Sequence, residues 1–459
     1  MSIHPYIPNS VPQIRDEMLR QIGATDIGSL YREIPDHLKS RKPLDIPDAY
    51  LSEHDLKRHL ESIMARNVSC EEYANFLGAG CYQHFVPAVC DEVNSRGEFL
   101  TAYAGATYSD HGKHQAWFEF QSMLGELLEM DVVGFPTYDW GTAACSATLM
   151  ACRLTNRDQI LVPRNLSPER AQHLRSYVKR AATIATVEFD RDTGTFDLDD
   201  LESKLSERTA AVYFENPTYL GVLEPRGAAI SDLAHKHGAL VIVGVNPITL
   251  GVLLPPSKYG ADLVCGDAQP LGVHMQAGGG LSGFIASHDD LRVMSEFPTL
   301  FETICRTERS GEWGFGWATL ERTSYDKRHE SRDFTGTSTG LWAITAGVYL
   351  ALMGPQGIRE VGESILLRAR YAITRLSSIE RIEVPRLHAP GFMEFTVDFS
   401  RSGKTVGEVN RQLLKAGVFG GLDLSPWYPE LGQSALYCVT EVTSKERIDH
   451  LAAALEEIL

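Results

Sequence analysis

Apolar residues recur along this chain at two spacings, and the spacing changes with position. Over residues 114–130, Trp117, Phe120, Leu124 and Leu127 form one helical stripe. Beyond it come short apolar runs at Ile160–Val162, Ala210–Phe214, Ala239–Val245, Asp262–Cys265 and Gly283–Ala286, each of strand length. A helix over Ala228–His237, stopped by Gly238, lies between two of them. Strands alternating with helices predict a mostly parallel sheet covered on both faces. Leu341–Gly354, the longest uncharged apolar stretch, is too short to span a bilayer and predicts a buried helix.

Past residue 355 the pattern changes. A helix over 356–378 leads through Arg381–Val384 and a proline-containing link to Phe392–Phe399, which alternates with period two. Helices over Val406–Ala416 and Lys445–Leu459 complete a small α+β domain. Residues 1–75 are polar with a mostly helical pattern; Met18, Leu19 and Ile22 share a face, and Leu30 and Tyr31 follow. The expected organisation is an N-terminal helical arm over 1–75 that wraps a neighbour, a large α/β domain over 76–355 and a small α+β domain over 356–459. No internal repeat or low-complexity tract interrupts it.

Composition narrows the partners. The 459 residues can bury a sizeable core, and 43% hydrophobic with 22% charged residues is ordinary for a globular protein. A formal net charge of -17 argues against nucleic acid or an anionic membrane surface. The eight cysteines form no CxxC pair, which argues against a zinc ribbon or a thioredoxin-like site and reads as reduced thiols in a cytoplasmic protein. The N-terminal segment has no basic region followed by an apolar run, so no signal peptide is expected.

Local motifs then carry a resemblance. Phe76-Leu-Gly-Ala-Gly-Cys-Tyr-Gln-His-Phe-Val-Pro-Ala-Val89 is followed by Glu98-Phe-Leu-Thr-Ala-Tyr103, Phe118-Glu-Phe-Gln121, Met130-Asp-Val132 and Tyr138-Asp139. Further along stand Gly251-Val-Leu-Leu-Pro-Pro-Ser-Lys-Tyr-Gly-Ala-Asp262, Gly266-Asp-Ala-Gln-Pro-Leu-Gly272, Val348-Tyr-Leu350, Gly354-Pro-Gln-Gly357, Gly420-Gly-Leu422, Tyr428-Pro-Glu-Leu431 and Cys438-Val-Thr-Glu441. In this order they resemble the P-protein of the glycine cleavage system, a pyridoxal phosphate (PLP)-dependent glycine decarboxylase, and within it the first, or alpha, subunit of the two-subunit form. The resemblance covers nearly the whole chain.

It implies a fold-type-I, aspartate aminotransferase-like large domain. It also implies pairing with a second, lysine-bearing subunit that holds the PLP, decarboxylation of a small amino acid such as glycine, and transfer of the aminomethyl group to a lipoyl carrier protein. The residues agree. At the turn after the strand Asp262–Cys265, where the family's fold carries its cofactor-holding lysine, this chain has Gln269, and no lysine lies between Lys258 and Lys327. A carboxamide cannot take the place of that amine. Where a carboxylate would keep the pyridine nitrogen protonated, after Ala239–Val245, the residue is Asn246. Where a histidine would stack on the ring, the loop Asn165-Leu-Ser-Pro168 offers Ser167.

The chain departs from its relatives in two tracts. They carry a segment like TPYQPE-SQG where this chain has Ala104-Gly-Ala-Thr-Tyr-Ser-Asp-His-Gly-Lys-His114, and Ser-Asn-x-Cys-Thr-Asn where it has Thr335-Gly-Thr-Ser-Thr-Gly340. A new substrate and drift in a subunit without chemistry both account for this. Tyr103, His111 and Thr339 are the candidates for a wall of the substrate channel. His111 and His114 form an HxxH to which His84 or Asp110 would have to add a ligand; loop and helix-start histidines are commoner, and no metal is expected. Gly278-Gly-Gly280 more often permits close backbone approach than it cradles a phosphate. Tyr138-Asp139-Trp-Gly-Thr142 starts a helix where this fold binds the PLP phosphate, here expected as a vestige. Cys145 and Cys152 read as core, and His235 and His237 as surface residues near a helix end.

Three functions stay open at this point. One is the non-lysine subunit of a glycine decarboxylase-like oxidoreductase of amino-acid metabolism. Another is a scaffold or regulatory pseudoenzyme. The third is an enzyme of specialised metabolism that reuses the pocket without PLP.

Overall fold

A computed structural model describes residues 6–7, 11–40, 42, 45–100, 112–318, 335 and 338–459. The chain divides into two units, Met1–Val68 and Ser69–Leu459. In the first, α1 (Pro12–Gln21) begins with a proline at a position where its missing N–H is no loss, and α2 (Glu53–Met64) is capped by Ser52, whose hydroxyl accepts from Asp55 N. Leu19 is the one buried residue among those described there, and Leu56, Leu60 and Ile63 of α2 are exposed.

The second unit opens with β1 (Ala74–Asn75), α3 (Ala88–Ser95), α4 (His114–Leu128), β2 (Val132–Val133) and α5 (Trp140–Thr155). An alternating series follows: β3 (Gln159–Pro163), α6 (Pro168–Val178), β4 (Thr183–Val187), α7 (Leu198–Lys204), β5 (Thr209–Glu215), α8 (Gly227–Lys236), β6 (Leu240–Val245), β7 (Leu263–Asp267), β8 (Gly283–Ser287) and α9 (Leu291–Met294). A hairpin of β9 (Glu302–Arg306) and β10 (Trp313–Trp317) precedes α10 (Gly340–Ser377). The chain closes with β11 (Glu394–Asp398), α11 (Val406–Lys415), β12 (Val418–Phe419), β13 (Leu422–Asp423), β14 (Ser434–Cys438) and α12 (Lys445–Ile458).

Seven strands form the main sheet in the order β2-β8-β7-β6-β5-β3-β4. Neighbours from β7 to β4 run parallel, while β8 is antiparallel to both β7 and β2. Every residue of β5 is buried, as a strand covered on both faces requires. Val212 and Phe214 pack with α4, α8 and α10, whereas Ala211 and Tyr213 pack with α5. The second sheet, β11-β14-β13, is antiparallel and shares a separate core with α11 and α12. Segment Ala74–Asn75 pairs with β12.

The helices expected to end at Gly354 and to begin at 356 are both present, running into one another across a kink as the 38-residue element α10. Gly354 holds φ 58 and ψ -178 inside it, a conformation open to glycine, so the helix bends at Gly354-Pro355 and continues. By length and composition α10 could cross a membrane, but its apolar face packs on α4 inside the protein. The edge strand β4 and the β9–β10 hairpin were not expected. Both are partly exposed on their faces, which removes the continuous apolar run that marks a buried strand.

Candidate functional site

Ligands in open α/β sheets sit beyond the carboxyl ends of the parallel strands, and here those ends carry amides and carboxylates. Strand β7 ends at Asp267 and the chain turns through Gln269, which is 1% exposed. The Gln269 Nε2 donates to the carbonyls of Tyr82 (2.8 Å) and Val273 (2.9 Å), and its Oε1 accepts from Tyr82 N at 2.9 Å. This side chain works as a tie between the β7 turn and the loop after β1. After β6, Asn246 caps a short 3-10 helix over Pro247–Gly251: Oδ1 accepts from Ile248 N at 3.1 Å, and Nδ2 lies 3.5 Å from Met393 Sδ.

The start of α5 is closed in a similar way. Asp139 is its N-cap, accepting from Thr142 N at 2.6 Å. Asp267 reaches the same end, accepting from Trp140 N (3.1 Å) with Oδ2 and from Gln269 N and Ser282 N (2.9 Å each) with Oδ1. Burial pushes the Asp267 carboxyl up to about 6, against the pull of those three N–H groups. Thr339, one of the predicted channel residues, braces this corner. Its hydroxyl donates to Thr137 O and meets Ser282 Oγ, each at 2.8 Å. Tyr103 and His111, the other two, lie outside the described residues.

Between these ends sits a cleft of about 370 Å³, counting its open mouth. Helix α6, which starts just after Ser167, sends Arg170 into it. The guanidinium pairs with Glu215 through Nε (2.6 Å) and Nη2 (2.8 Å), and its Cζ lies 4.4 Å from the centre of the Trp140 ring. Tyr213 donates to Glu215 at 2.8 Å. On the opposite wall Glu394 accepts from Ala79 N (2.6 Å) and from the Tyr82 hydroxyl (3.2 Å). Burial pushes the Glu394 carboxyl up to about 7, although Ala79 N–H, the Tyr82 hydroxyl and Arg170 all pull it down.

Sequence reasoning missed this cluster. Arg170, Glu215 and Glu394 sit on three elements far apart in the chain, with no motif spacing between them. The available signal was the charged residue Glu215 closing the apolar run of β5, since buried charges need partners.

The remaining candidates fall into separate settings. His84 pairs with Glu441 through Nδ1, and His114 with Glu302 through Nδ1, each at 2.8 Å. Burial pushes the Glu302 carboxyl up to about 8. His235 meets Asp262 at 2.8 Å near the end of α8. A Cβ on Gly280 would lie 1.9 Å from the His274 carbonyl oxygen, so this glycine allows close backbone approach. Cys145 and Cys152 are buried in α5.

The residues present do not fit PLP. The α5 N-terminus, where the sequence reading expected a vestigial phosphate seat, has two of its N–H groups taken by carboxylates, which would repel a dianion. The Arg170 guanidinium lies over the Trp140 ring, beside that helix start. Gln269, expected at the lysine position, is a buried amide with three hydrogen bonds, and Asn246, expected at the pyridine-facing position, serves as a cap.

Known proteins resemble this chain along its whole length. The family model described as glycine cleavage system P-protein matches residues 4–455. A protein of Staphylothermus marinus named "probable glycine dehydrogenase (decarboxylating) subunit 1" is 36% identical, covering 100% of this chain and 99% of the relative. One of the same name from Aeropyrum pernix is 37% identical over 99% of both. Among solved structures, a glycine decarboxylase (P-protein) of the glycine cleavage system in inhibitor-bound form superposes with a TM-score of 0.82 at 31% identity, covering 100% of each chain. A sphingosine-1-phosphate lyase of Burkholderia pseudomallei, 17% identical with a TM-score of 0.65 over 90% of this chain, shares the fold alone. The architecture is that of fold-type-I PLP enzymes.

Proposed function

We infer, because the chain belongs to the glycine cleavage system P-protein family, that it is the first subunit of a two-subunit glycine decarboxylase and that its partner subunit holds the PLP. The observation that carries this reading is Gln269. Its amide stands where the family's fold places the cofactor-holding lysine, and both its ends are committed to backbone groups. The lysine-bearing partner supplies the PLP, whose ring accepts the electrons released as the amino acid loses CO2.

This chain then contributes form. It completes the shared interface, excludes water from the reacting centre, and lends polar groups to the substrate channel, with Tyr103, His111 and Thr339 as our candidates. A lipoyl carrier protein as acceptor and a cytoplasmic setting complete the proposal. The relatives' names, which speak of a subunit 1, support the two-subunit assembly.

The test is co-expression with a lysine-bearing second subunit. Each protein alone and both together are scanned for pyridoxal absorbance, then reduced with borohydride and mapped by mass spectrometry. The label is expected on the partner, with glycine decarboxylation only in the mixture. Reductive labelling of this chain purified alone would overturn the reading.

A further inference from the structure

A second pocket lies at the other end of α5 from the Asp139 cap, where the chain leaves the helix through Asn156 and Arg157 and enters β3 at Gln159. It is a cavity of about 210 Å³, or about 570 Å³ counting its open mouth. Set against the share of about 30 Å³ that one molecule has in liquid water, that room takes a small organic molecule. The cleft beside Arg170, by contrast, encloses only about 20 Å³.

Two arginines line this space, and each is anchored. Arg153, in the last turn of α5, binds the Glu296 carboxylate through Nε and donates from Nη2 to the Glu296 carbonyl at 2.9 Å. Arg157 donates from Nη1 to the carbonyls of Thr209 and His237, each at 2.9 Å. Those carbonyls fix the guanidinium without neutralising it, and no carboxylate pairs with Arg157 among the described residues. The one carboxylate in the lining, Asp158, is bound through both oxygens by Arg208, each at 3.0 Å. With Arg153 set against Glu296 and Asp158 against Arg208, the positive charge of Arg157 is left over, on a chain whose net charge is -17. Leu149, Cys152 and Ala181 make the remaining wall apolar.

We propose that this pocket binds a small organic carboxylate, with its charged head on Arg157 and a short apolar body against Leu149 and Ala181. A single surplus charge suits a monoanion. A phosphate dianion would leave the pocket net negative, and a cation would add to the positive charge already there. Because the Arg157 guanidinium is held in place before any ligand arrives, its planar fork meets a carboxylate with little ordering left to do. The site goes beyond the subunit reading and does not rest on it.

Calorimetric titration of the full-length chain, purified alone, with hexanoate, hexylamine and inorganic phosphate tests it. Hexanoate is expected to bind one-to-one, and at least about tenfold more tightly than either of the others, because only it offers both one negative charge and an apolar body. Arg157→Gln removes the surplus charge. Asn156→Asp, on an exposed residue of the pocket, adds an opposing carboxylate without touching the bonds that hold Arg157. Each should weaken hexanoate about tenfold. Circular dichroism melts of both variants verify folding, and where Arg157→Gln does not fold, Asn156→Asp decides. The proposal is overturned if hexanoate does not bind, binds no more tightly than hexylamine or phosphate, or is indifferent to Asn156→Asp in a folded protein.

Discussion

At the residue scale, buried polar side chains tie the ends of the main-sheet strands to their surroundings. Gln269 makes three buried hydrogen bonds. Restoring the lysine alone by Gln269→Lys is expected to lose those bonds and bury an unpaired ammonium, lowering unfolding free energy by about 3 kcal/mol without conferring covalent PLP. Urea melts and borohydride reduction check both halves. Glu394 gives a pH signature. Its carboxyl titrates near 7 when folded, above the ordinary value, so the folded state holds the proton more tightly than the unfolded. Its contribution is present below about pH 4.5 and is lost as pH rises toward 7. Glu394→Gln, which keeps shape and stays neutral, should therefore gain about 2–3 kcal/mol relative to the parent between pH 4.5 and 8, measured by denaturant melts across pH. Of these residues Gln269 and Asn246 were legible in the sequence, because each stands at a fixed distance from a recognisable strand. Arg170 and Glu394 were not, because their partnership exists only once α6 and β11 pack around one cleft.

At the element scale, periodicity located the five buried strands of the main sheet and most helices to within a few residues. It failed where burial is partial, and it also missed β14, which is buried throughout. Strand β4 is an edge strand whose Thr-Ile-Ala-Thr-Val run is half-exposed, and the β9–β10 hairpin places Trp313 and Ile304 toward solvent. It held at Gly354-Pro355, where the Gly-Pro pair ends one helical half of α10 and the second half begins across a kink. That break is testable. Gly354 adopts φ 58 with ψ -178, and a Cβ added there would meet no neighbour within 4 Å, so the cost of Gly354→Ala is purely conformational. It should destabilise the protein by about 1–2 kcal/mol in thermal or urea melts. The cap of α5 is a second case. Asp139→Ala removes the acceptor of Thr142 N and should cost about 1 kcal/mol.

At the scale of the whole molecule, the seven-stranded sheet carries the stable core, while the unit Met1–Val68 has almost none of its own. Limited proteolysis of the chain alone is expected to trim within residues 1–68 and leave a resistant fragment beginning near Ser69, and co-assembly with the second subunit should slow that trimming. Rapid cleavage inside the main sheet would contradict it. The sequence conveyed this layout through charge, length and motif order, but not the way in which the α5 entrance is filled. There two carboxylates meet one helix end. Covalent cofactor chemistry on this chain is consequently barred by more than a missing amine. It would need several concerted replacements, and giving up the Gln269 hydrogen bonds or the Asp139 cap would each cost stability before any catalytic return.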